Sequence, residues 1–318
     1  MIGNRRALGI VAGALGGMAV SGQARLNGDL ADSLHDGFVA ALLSFVIGLA
    51  VVGGATLASP VARRGLREVR DSLRTGKVRA WQCTGGVCGA IVVASQGLSV
   101  GTLGVAIFTV AIVGGQSVAG LAVDHAGIGP SGPEPLAGTR ITGAALTIVA
   151  VAIAVAGRFS APTTLALAVL PVIAGVASAW QQAVNGLVRQ AASSATTATL
   201  VNFVVGIACL VIACAIDLAV RGLPTGTLPT RWWEYLGGVI SVLFIAVTAA
   251  VVRFTGVLLL SLAMIAGQLI GAVAIDAAVP GSPRPDTYTL VGVALTLVAV
   301  AIAAVRPRSD RRQVEGRG

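Results

Sequence analysis

The sequence contains few charged residues. Only 11% of its 318 residues are Asp, Glu, Lys or Arg, while 55% are hydrophobic. A soluble globular chain has about 25% charged residues, and the mean hydropathy here is +0.89. So few charges cannot cover so much apolar surface in water, which excludes a soluble enzyme, a disordered chain and a secreted disulfide-rich scaffold. Lipid must surround most of the chain.

Cysteine is also scarce. The four cysteines occur as two pairs with a spacing of five residues, Cys83/Cys88 and Cys209/Cys214. Helical residues with this spacing point about 140° apart, too far for a disulfide or a shared metal ion within the pair. They are interpreted as small packing residues. The sequence predicts no metal site and no cofactor.

Long charge-free runs make up most of the remaining sequence. About 17 to 25 apolar residues cross a bilayer as a helix, and a charge at the bilayer centre costs about 2.5 to 3.5 kcal/mol. Nine runs reach 17 residues, namely 7–24, 37–62, 80–123, 141–157, 159–188, 190–216, 235–252, 254–275 and 287–305. The run 80–123 is long enough for two helices. The sequence thus predicts an all-α membrane protein with ten transmembrane helices.

Basic residues are distributed unevenly between the two sides of such a bundle. With ten helices both termini lie on one side, which holds 17 of the 22 Lys and Arg residues, seven of them in the loop 59–79. Such an excess marks the cytoplasmic side, so both termini are predicted to be cytoplasmic. Topology therefore accounts for the net charge of +9, and no nucleic-acid partner is predicted.

The first 24 residues allow a second interpretation. Arg5 and Arg6, the apolar stretch 7–20 and the small residues near 22–24 resemble a cleaved signal peptide. The internal repeat described next extends across that cleavage point. This favours a retained first helix.

The chain contains an internal repeat. Residues 23–28 (QARLNG) match 181–186 (QQAVNG), and residues 44–48 (SFVIG) match 202–206 (NFVVG), both at an offset of 158. Farther along, the offset becomes 152, which pairs Gly85-Gly86 with Gly237-Gly238 and Gly115-Gln116 with Gly267-Gln268. In the last helix of each half the offset is 149, which pairs residues 146–154 with 295–303. The matches keep the same order in both halves, which predicts a duplicated unit.

Each half of the chain contains five predicted helices, the first in 1–158 and the second in 159–305. An odd number of helices inserts the second copy upside down, as in many secondary transporters. The loop 59–79 carries seven basic residues and its counterpart 220–231 only two, as this inversion requires. The basic tail 306–318 is predicted to be cytoplasmic and disordered.

The loop 59–79 has the pattern of an amphipathic helix. Leu66, Val69 and Leu73 share one helical face, and five arginines surround the rest. Such a helix is typical of a segment that lies on the anionic inner leaflet. A nucleic-acid or regulatory contact is the other interpretation.

Uncharged polar side chains inside the spans are the first candidates for a transport pathway, because buried amides need partners. Their depths predict an outer collar of Gln23, Asn27, Ser44 and Gln96, and an inner collar of Gln181, Asn185 and Asn202 beside Trp180 and Gln182. The two collars would flank the membrane midplane. The alternative is interhelical hydrogen bonding that only holds the bundle together, worth about 0.6 kcal/mol per contact.

Gln116 and Gln268 lie nearer the middle of their helices and are the first candidates for direct substrate contact, with packing as the alternative.

Gly13 and Pro171 align in the first helix of each half, and paired interruptions of this kind indicate hinges or discontinuous helices at a binding site. Asp124 and Asp276 follow the two glutamines at helix ends, in contact with headgroups or water, and are candidates for proton coupling. Sodium coupling or no coupling are the alternatives.

Residues 97–101 (GLSVG) fit the pattern of a hydrolase nucleophile elbow around Ser99. The only histidines, His35 and His125, lie outside the predicted spans. An intramembrane serine hydrolase is therefore a minor hypothesis, and the chain is not predicted to be an enzyme.

The repeated motifs resemble those of a known family. Each half has Q-x-x-x-N in its first helix, [S/N]-F-x-x-G in its second and G-Q followed by Asp in its fourth. In these motifs the chain is similar to the drug/metabolite transporter superfamily, in particular its branch of inner-membrane exporters. The resemblance implies a ten-helix inverted-repeat carrier in the bacterial inner membrane that exports a small organic solute. The related small multidrug carriers use a Glu in the first helix, where this chain has Gln23 and Asn27.

The sequence thus predicts a secondary transporter of a small polar or amphipathic metabolite. Its partners would be the lipid bilayer and a small-molecule substrate. The fused halves make a monomer self-sufficient, and a homodimer is the other arrangement left open. The alternative function is a membrane scaffold or lipid-binding protein that acts through 59–79.

Overall fold

The computed structural model describes residues 2–157, 162–255 and 257–305, and this part of the chain forms helices and connecting turns without a strand. The predicted boundary at 158/159 and the predicted tail 306–318 lie outside the described residues. Eleven α-helices follow in chain order: α1 (Ile2–Leu34), α2 (Gly37–Ala58), α3 (Pro60–Arg74), α4 (Gly85–Leu103), α5 (Val105–His125), α6 (Gly138–Ala156), α7 (Pro162–Ala192), α8 (Ala195–Arg221), α9 (Gly237–Thr255), α10 (Val257–Ala278) and α11 (Thr287–Ala303).

The helices confirm the prediction of an all-α membrane protein. Eight are long and apolar enough to cross a bilayer, and all but α3, α9 and α11 belong to this group. The segment Trp232–Ile245 at the start of α9 and the helix Thr287–Ala303 are apolar but shorter. Short 3-10 turns, Ala80–Cys83 and Trp232–Leu236, precede α4 and α9.

Equivalent helices of the two halves pack against each other in opposite directions. Gly48 of α2 contacts the ring of Phe203, and Gly206 of α8 contacts the ring of Phe45, so the residue order runs in opposite senses along the pair. The last helices behave in the same way, because Gly143 of α6 contacts Ala303 and Gly292 of α11 contacts Ala154. These two antiparallel pairs join the halves.

The first helix of each half packs on the fourth apolar helix of the other half. α1 lies against α10, and α7 lies against α5. Glycines allow both crossings: the Cα of Gly115 faces the Val172 carbonyl, and Gly267 faces the Ala14 carbonyl so closely that neither position has room for a methyl group. Small residues commonly let transmembrane backbones approach in this way.

The amphipathic helix α3 docks on the protein through a face that overlaps the predicted one at Val69. Its buried residues are Ala62, Gly65 and Val69, and Thr197 Oγ1 of α8 donates a hydrogen bond to the Ala62 carbonyl at 3.0 Å. Leu73, predicted on the apolar face, is 39% exposed. Small residues at 62 and 65 let α3 approach α7 and α8 closely, and this contact decides which face is buried.

Candidate functional site

Three amide and hydroxyl side chains of the first half form one buried cluster, called the outer cluster after its predicted side. Asn27 Nδ2 of α1 donates to Gln96 Oε1 of α4 at 2.6 Å. Ser44 Oγ of α2 donates to Asn27 Oδ1 at 2.7 Å. The structure thus brings three of the four outer-collar residues into contact, and Gln23 is also buried one turn before Asn27.

The inner cluster belongs to the second half and consists of Asn185 and Asn202, the counterparts of Asn27 and Ser44, together with Gln181, the counterpart of Gln23. Asn202 Oδ1 of α8 accepts hydrogen bonds from Gln181 Nε2 at 3.1 Å and from Asn185 Nδ2 at 3.0 Å. Gln182 lies on the exposed side of α7 and reaches only Ser178. The inner-collar residues Gln181, Asn185 and Asn202 are therefore in contact, and Gln182 is separate from them.

Each cluster is completed by glycines of the opposite half. Gly237 at the start of α9 faces Asn27 Oδ1, and Gly85 at the start of α4 faces Asn185 Oδ1, both without room for a side chain. The next glycine of each pair, Gly238 or Gly86, lies against the backbone of α2 or α8. The repeated Gly-Gly motif therefore places both clusters at the interface between the halves.

A pair of aromatic rings lies where α2 and α8 cross. The ring centroids of Phe45 and Phe203 are 5.0 Å apart, and each ring packs on Gly206 or Gly48 of the other helix. Phe45 Cζ is also within reach of Gly89 on α4, a residue that faces Gln181 Nε2. Gln96 follows seven residues, or about 10 Å, farther along α4, so the rings separate the two clusters. Sequence reasoning used both rings only as repeat matches and missed this role.

The two clusters differ in burial although Asn27 and Ser44 of one are equivalent to Asn185 and Asn202 of the other. In the outer cluster the exposed fractions are 2% for Asn27, 2% for Ser44 and 3% for Gln96. In the inner cluster Asn202 is 9% exposed, and Gln181 and Asn185 are only partly buried. The bundle is more tightly closed at the end that holds the outer cluster.

A comparison of the sequence with models of known protein families agrees with the division of the chain into two repeated halves. The model of the family described as "Putative inner membrane exporter, YdcZ" matches residues 8–153 and again residues 166–302. The chain belongs to this family. The double match is consistent with the drug/metabolite transporter superfamily. No curated protein matches the chain.

A buried acid lies at the interface between the halves, at the end that holds the outer cluster. Glu234, in the turn before α9, is 3% exposed and accepts a hydrogen bond from Ser33 Oγ at 3.0 Å. Thr227 N donates to the Ser33 carbonyl at 3.2 Å, so the segment before α9 covers the end of α1. Sequence reasoning missed Glu234. The signal is a longer repeat, because Trp81-Gln82 precedes Gly85-Gly86 with the same spacing as Trp233-Glu234 precedes Gly237-Gly238.

Trp180 lies beside the inner cluster, as its position next to Gln181 predicts. Its Nε1 donates to Thr84 Oγ1 at 3.1 Å, and its ring centroid is 5.8 Å from that of Trp81. Thr84 immediately precedes the glycine that faces Asn185. An aromatic pair thus borders the less buried of the two clusters.

Gln116 and Gln268 occupy equivalent positions in the middle of α5 and α10, at the two glycine crossings. Both are partly buried. The backbone carbonyl of Gln268 accepts a hydrogen bond from Ser21 Oγ at 2.6 Å, and the backbone N of Gln116 lies against Gly175. The structure does not join these two residues to either amide cluster, and their role as substrate contacts stays a prediction.

The two aspartates expected at solvated helix ends have different environments. Asp124 forms an ion pair with Arg140, which also binds Glu134 at 2.8 Å. For Asp276 the expected contact with headgroups or water is wrong: it is 2% exposed, and its carboxylate accepts the backbone N–H groups of Val105 and Ala106 at 2.9 and 2.7 Å. These are orphan donors of the first turn of α5, so Asp276 caps that helix from α10.

Other candidates have local packing roles. α1 and α7 run continuously through Gly13 and Pro171, so the interrupted helices that this pair can indicate are absent there, and a hinge role stays a prediction. Gly13 packs on Leu260 and Ala263. Ser99 is fully buried in α4 and donates to the Ser95 carbonyl at 2.6 Å, a contact within its own helix that gives no support to a hydrolase.

Proposed function

We propose that this family member is a secondary transporter that exports a small polar or amphipathic metabolite across the inner membrane by alternating access. The observation that carries the proposal is the unequal burial of equivalent residues in the two clusters, Asn27 against Asn185 and Ser44 against Asn202. An inverted-repeat carrier that is closed at one end and open at the other has this kind of asymmetry, because the halves exchange conformations when access alternates.

The proposed topology has ten spans, with both termini in the cytoplasm. It counts the two shorter apolar helices with the eight long ones and leaves α3 at the surface. Support comes from the antiparallel packing of α2 with α8 and of α6 with α11, and from the excess of basic residues on one side. The repeat units are the halves 1–158 and 159–305.

Gating would proceed by exchange of hydrogen-bond partners within the clusters. Asn27, Ser44 and Gln96 satisfy one another while the outer end is closed, and Gln181, Asn185 and Asn202 would do so more completely when the inner end closes. When a cluster opens, water or substrate can replace the lost partners at little enthalpic cost. Both clusters tie one half to glycines of the other, so relative movement of the halves would open one while closing the other.

The polar groups along this interface are mostly uncharged. Amides and hydroxyls line it, and Gln116 and Gln268 would contact substrate near the centre. An uncharged lining disfavours strongly ionic substrates. Asp124 and Asp276 both already bind other groups, so proton coupling through either carboxylate would require those contacts to break.

A ligand screen tests the function directly. Detergent-purified protein is heated in the presence of metabolites and drug-like molecules, beside a Gln116→Ala/Gln268→Ala variant. A ligand at about 100 times its Kd stabilises the folded protein by roughly 2.7 kcal/mol, and we expect a hit that shifts the wild type but not the variant. Gln182→Ala is the matched control, since that glutamine is exposed, and it should keep the shift. A wild type that responds to anionic lipid alone would support the scaffold function instead.

A further inference from the structure

The segment 59–79 carries cationic side chains that lack ionic partners within the protein. Its seven basic residues are all exposed, and none forms an ion pair with a described residue. In contrast, Arg25, Arg140 and Arg221 all pair with nearby carboxylates. A dense, unpaired positive surface is unfavourable by itself and indicates an anionic partner from outside the chain.

Four of these arginines form one stripe on α3. Arg63, Arg67, Arg70 and Arg74 follow the i, i+4, i+7, i+11 spacing, which places them within about 60° of arc on a helix. The docked residues Ala62, Gly65 and Val69 lie on another face. Glu68 and Asp71 fall outside the stripe. The helix therefore presents a purely cationic edge while its small residues face the protein.

The position of α3 limits which anion can reach this stripe. α2, which crosses the membrane, ends at Ala58, and Ser59 caps the next helix through the Ala62 N–H. α3 must therefore start at the membrane surface, on the side where basic residues are concentrated. Headgroup phosphates are the anions of highest local concentration there, and arginine binds phosphate with two parallel hydrogen bonds.

α3 is also a mechanical link to the inner cluster. It belongs to the first half but docks on the second, where Val69 packs with Val188 and Ala192 of α7 and Gly65 lies against the Ala192 carbonyl. α7 and α8 carry all three residues of the inner cluster. Whatever holds α3 in place therefore also holds the pair of helices that forms this end of the interface.

We propose that anionic phospholipid headgroups bind the stripe Arg63, Arg67, Arg70 and Arg74 and thereby stabilise the arrangement in which the inner cluster is partly open. The headgroups neutralise the stripe and fix α3 against α7 and α8. The binding step stands independently of transport, whereas the control of access rests on the proposed function.

Binding is tested by thermal unfolding in neutral detergent with added short-chain phosphatidylglycerol. We expect a higher Tm for the wild type and for Arg231→Gln/Arg284→Gln, a control that removes charge elsewhere, and no shift for Arg63→Gln/Arg67→Gln/Arg70→Gln. Exchanging the same three residues for lysine should keep part of the shift. Short-chain phosphatidylcholine and inorganic phosphate should have no effect. An equal shift in the glutamine variant, or with either of these two additives, would overturn the binding site.

Control of access is tested by labelling Asn202→Cys in a cysteine-free background with a membrane-impermeant maleimide from the cytoplasmic side. Liposomes that contain phosphatidylglycerol should increase the labelling rate at least threefold over neutral liposomes, and the glutamine variant should lose this difference. A rate independent of lipid charge would overturn the regulatory step even when the Tm shift is present. Because neither readout measures flux, a failure here is distinguishable from a failure of the transporter proposal.

Discussion

Replacing Gly115 by alanine should destabilise the protein by about 1 to 3 kcal/mol, the usual cost of overpacking a close contact. A methyl group at this position would overlap the Val172 carbonyl, and Gly175 prevents a compensating shift by its own close contact with Gln116 N. Only separation of α5 from α7 relieves the overlap. Thermal unfolding followed by intrinsic tryptophan fluorescence measures the change, and Gly267→Ala should behave in the same way because it faces the Ala14 carbonyl.

Gly120→Ala is the matched control on the same helix. Apart from the backbone of its own helix, no atom of the described residues lies within 4 Å of the position that its side chain would occupy. Alanine has a higher helix propensity than glycine, so this variant should be at least as stable as the wild type. Equal stability of the two alanine variants would contradict the close crossing of α5 and α7.

Asn27→Leu should destabilise the protein more than Asn185→Leu. The first change leaves Ser44 Oγ and Gln96 Oε1 without their partner in a cluster that is almost fully buried. Each buried polar group left unsatisfied costs about 1 to 3 kcal/mol. At the equivalent position in the inner cluster, water can reach the remaining amides and reduce the loss. Thermal unfolding of the two leucine variants compares equivalent sites within one protein.

A second substitution separates the hydrogen-bond effect from the change in shape. Ser44→Ala added to Asn27→Leu removes one of the two orphaned groups, so it should recover part of the lost stability. A similar loss at Asn27 and Asn185, with no recovery in the double variant, would show that the two clusters do not differ in solvation.

Much of the site could be predicted because the two repeated halves of the chain can be compared with each other. Two copies of one unit identify the amides at 27 and 185 and the residues at 44 and 202 as equivalent, and helical spacing places them at similar depths. The drug/metabolite transporter resemblance rested on the same motifs, and the family match bears it out. The repeat also singled out the Gly-Gly pairs, although their contact with the opposite asparagines required the three-dimensional packing.

Features that depend on docking between distant segments could not be predicted. The repeat of Trp81-Gln82 at Trp233-Glu234 could have marked Glu234 as a candidate. Its burial, however, depends on the segment before α9, which folds over the end of α1, and no local pattern reveals that contact. Asp276 looks like a solvated helix end in the sequence, but it meets the first turn of α5. On α3, Val69 of the predicted apolar face is buried, but Ala62 and Gly65 fit against α7 and α8 and turn the buried face away from Leu73.

The most direct test of alternating access locks the outer end and examines the inner one. The four native cysteines are replaced by alanine, and Gly28→Cys/Val100→Cys is introduced between α1 and α4, beside Asn27, where a Cβ at position 28 would lie 3.1 Å from the Val100 Cβ. A disulfide needs Cβ atoms about 3.5 to 4.5 Å apart, so a small shift of either helix allows the bond. Oxidation of this pair would hold α1 against α4 and keep the outer end closed. Accessibility is then read at Asn202→Cys with a membrane-impermeant maleimide from the cytoplasmic side. Alternating access predicts faster labelling after oxidation and a return to the original rate after reduction. A labelling rate that does not respond to the lock would contradict coupled movement of the two clusters and, with it, the proposed transport mechanism.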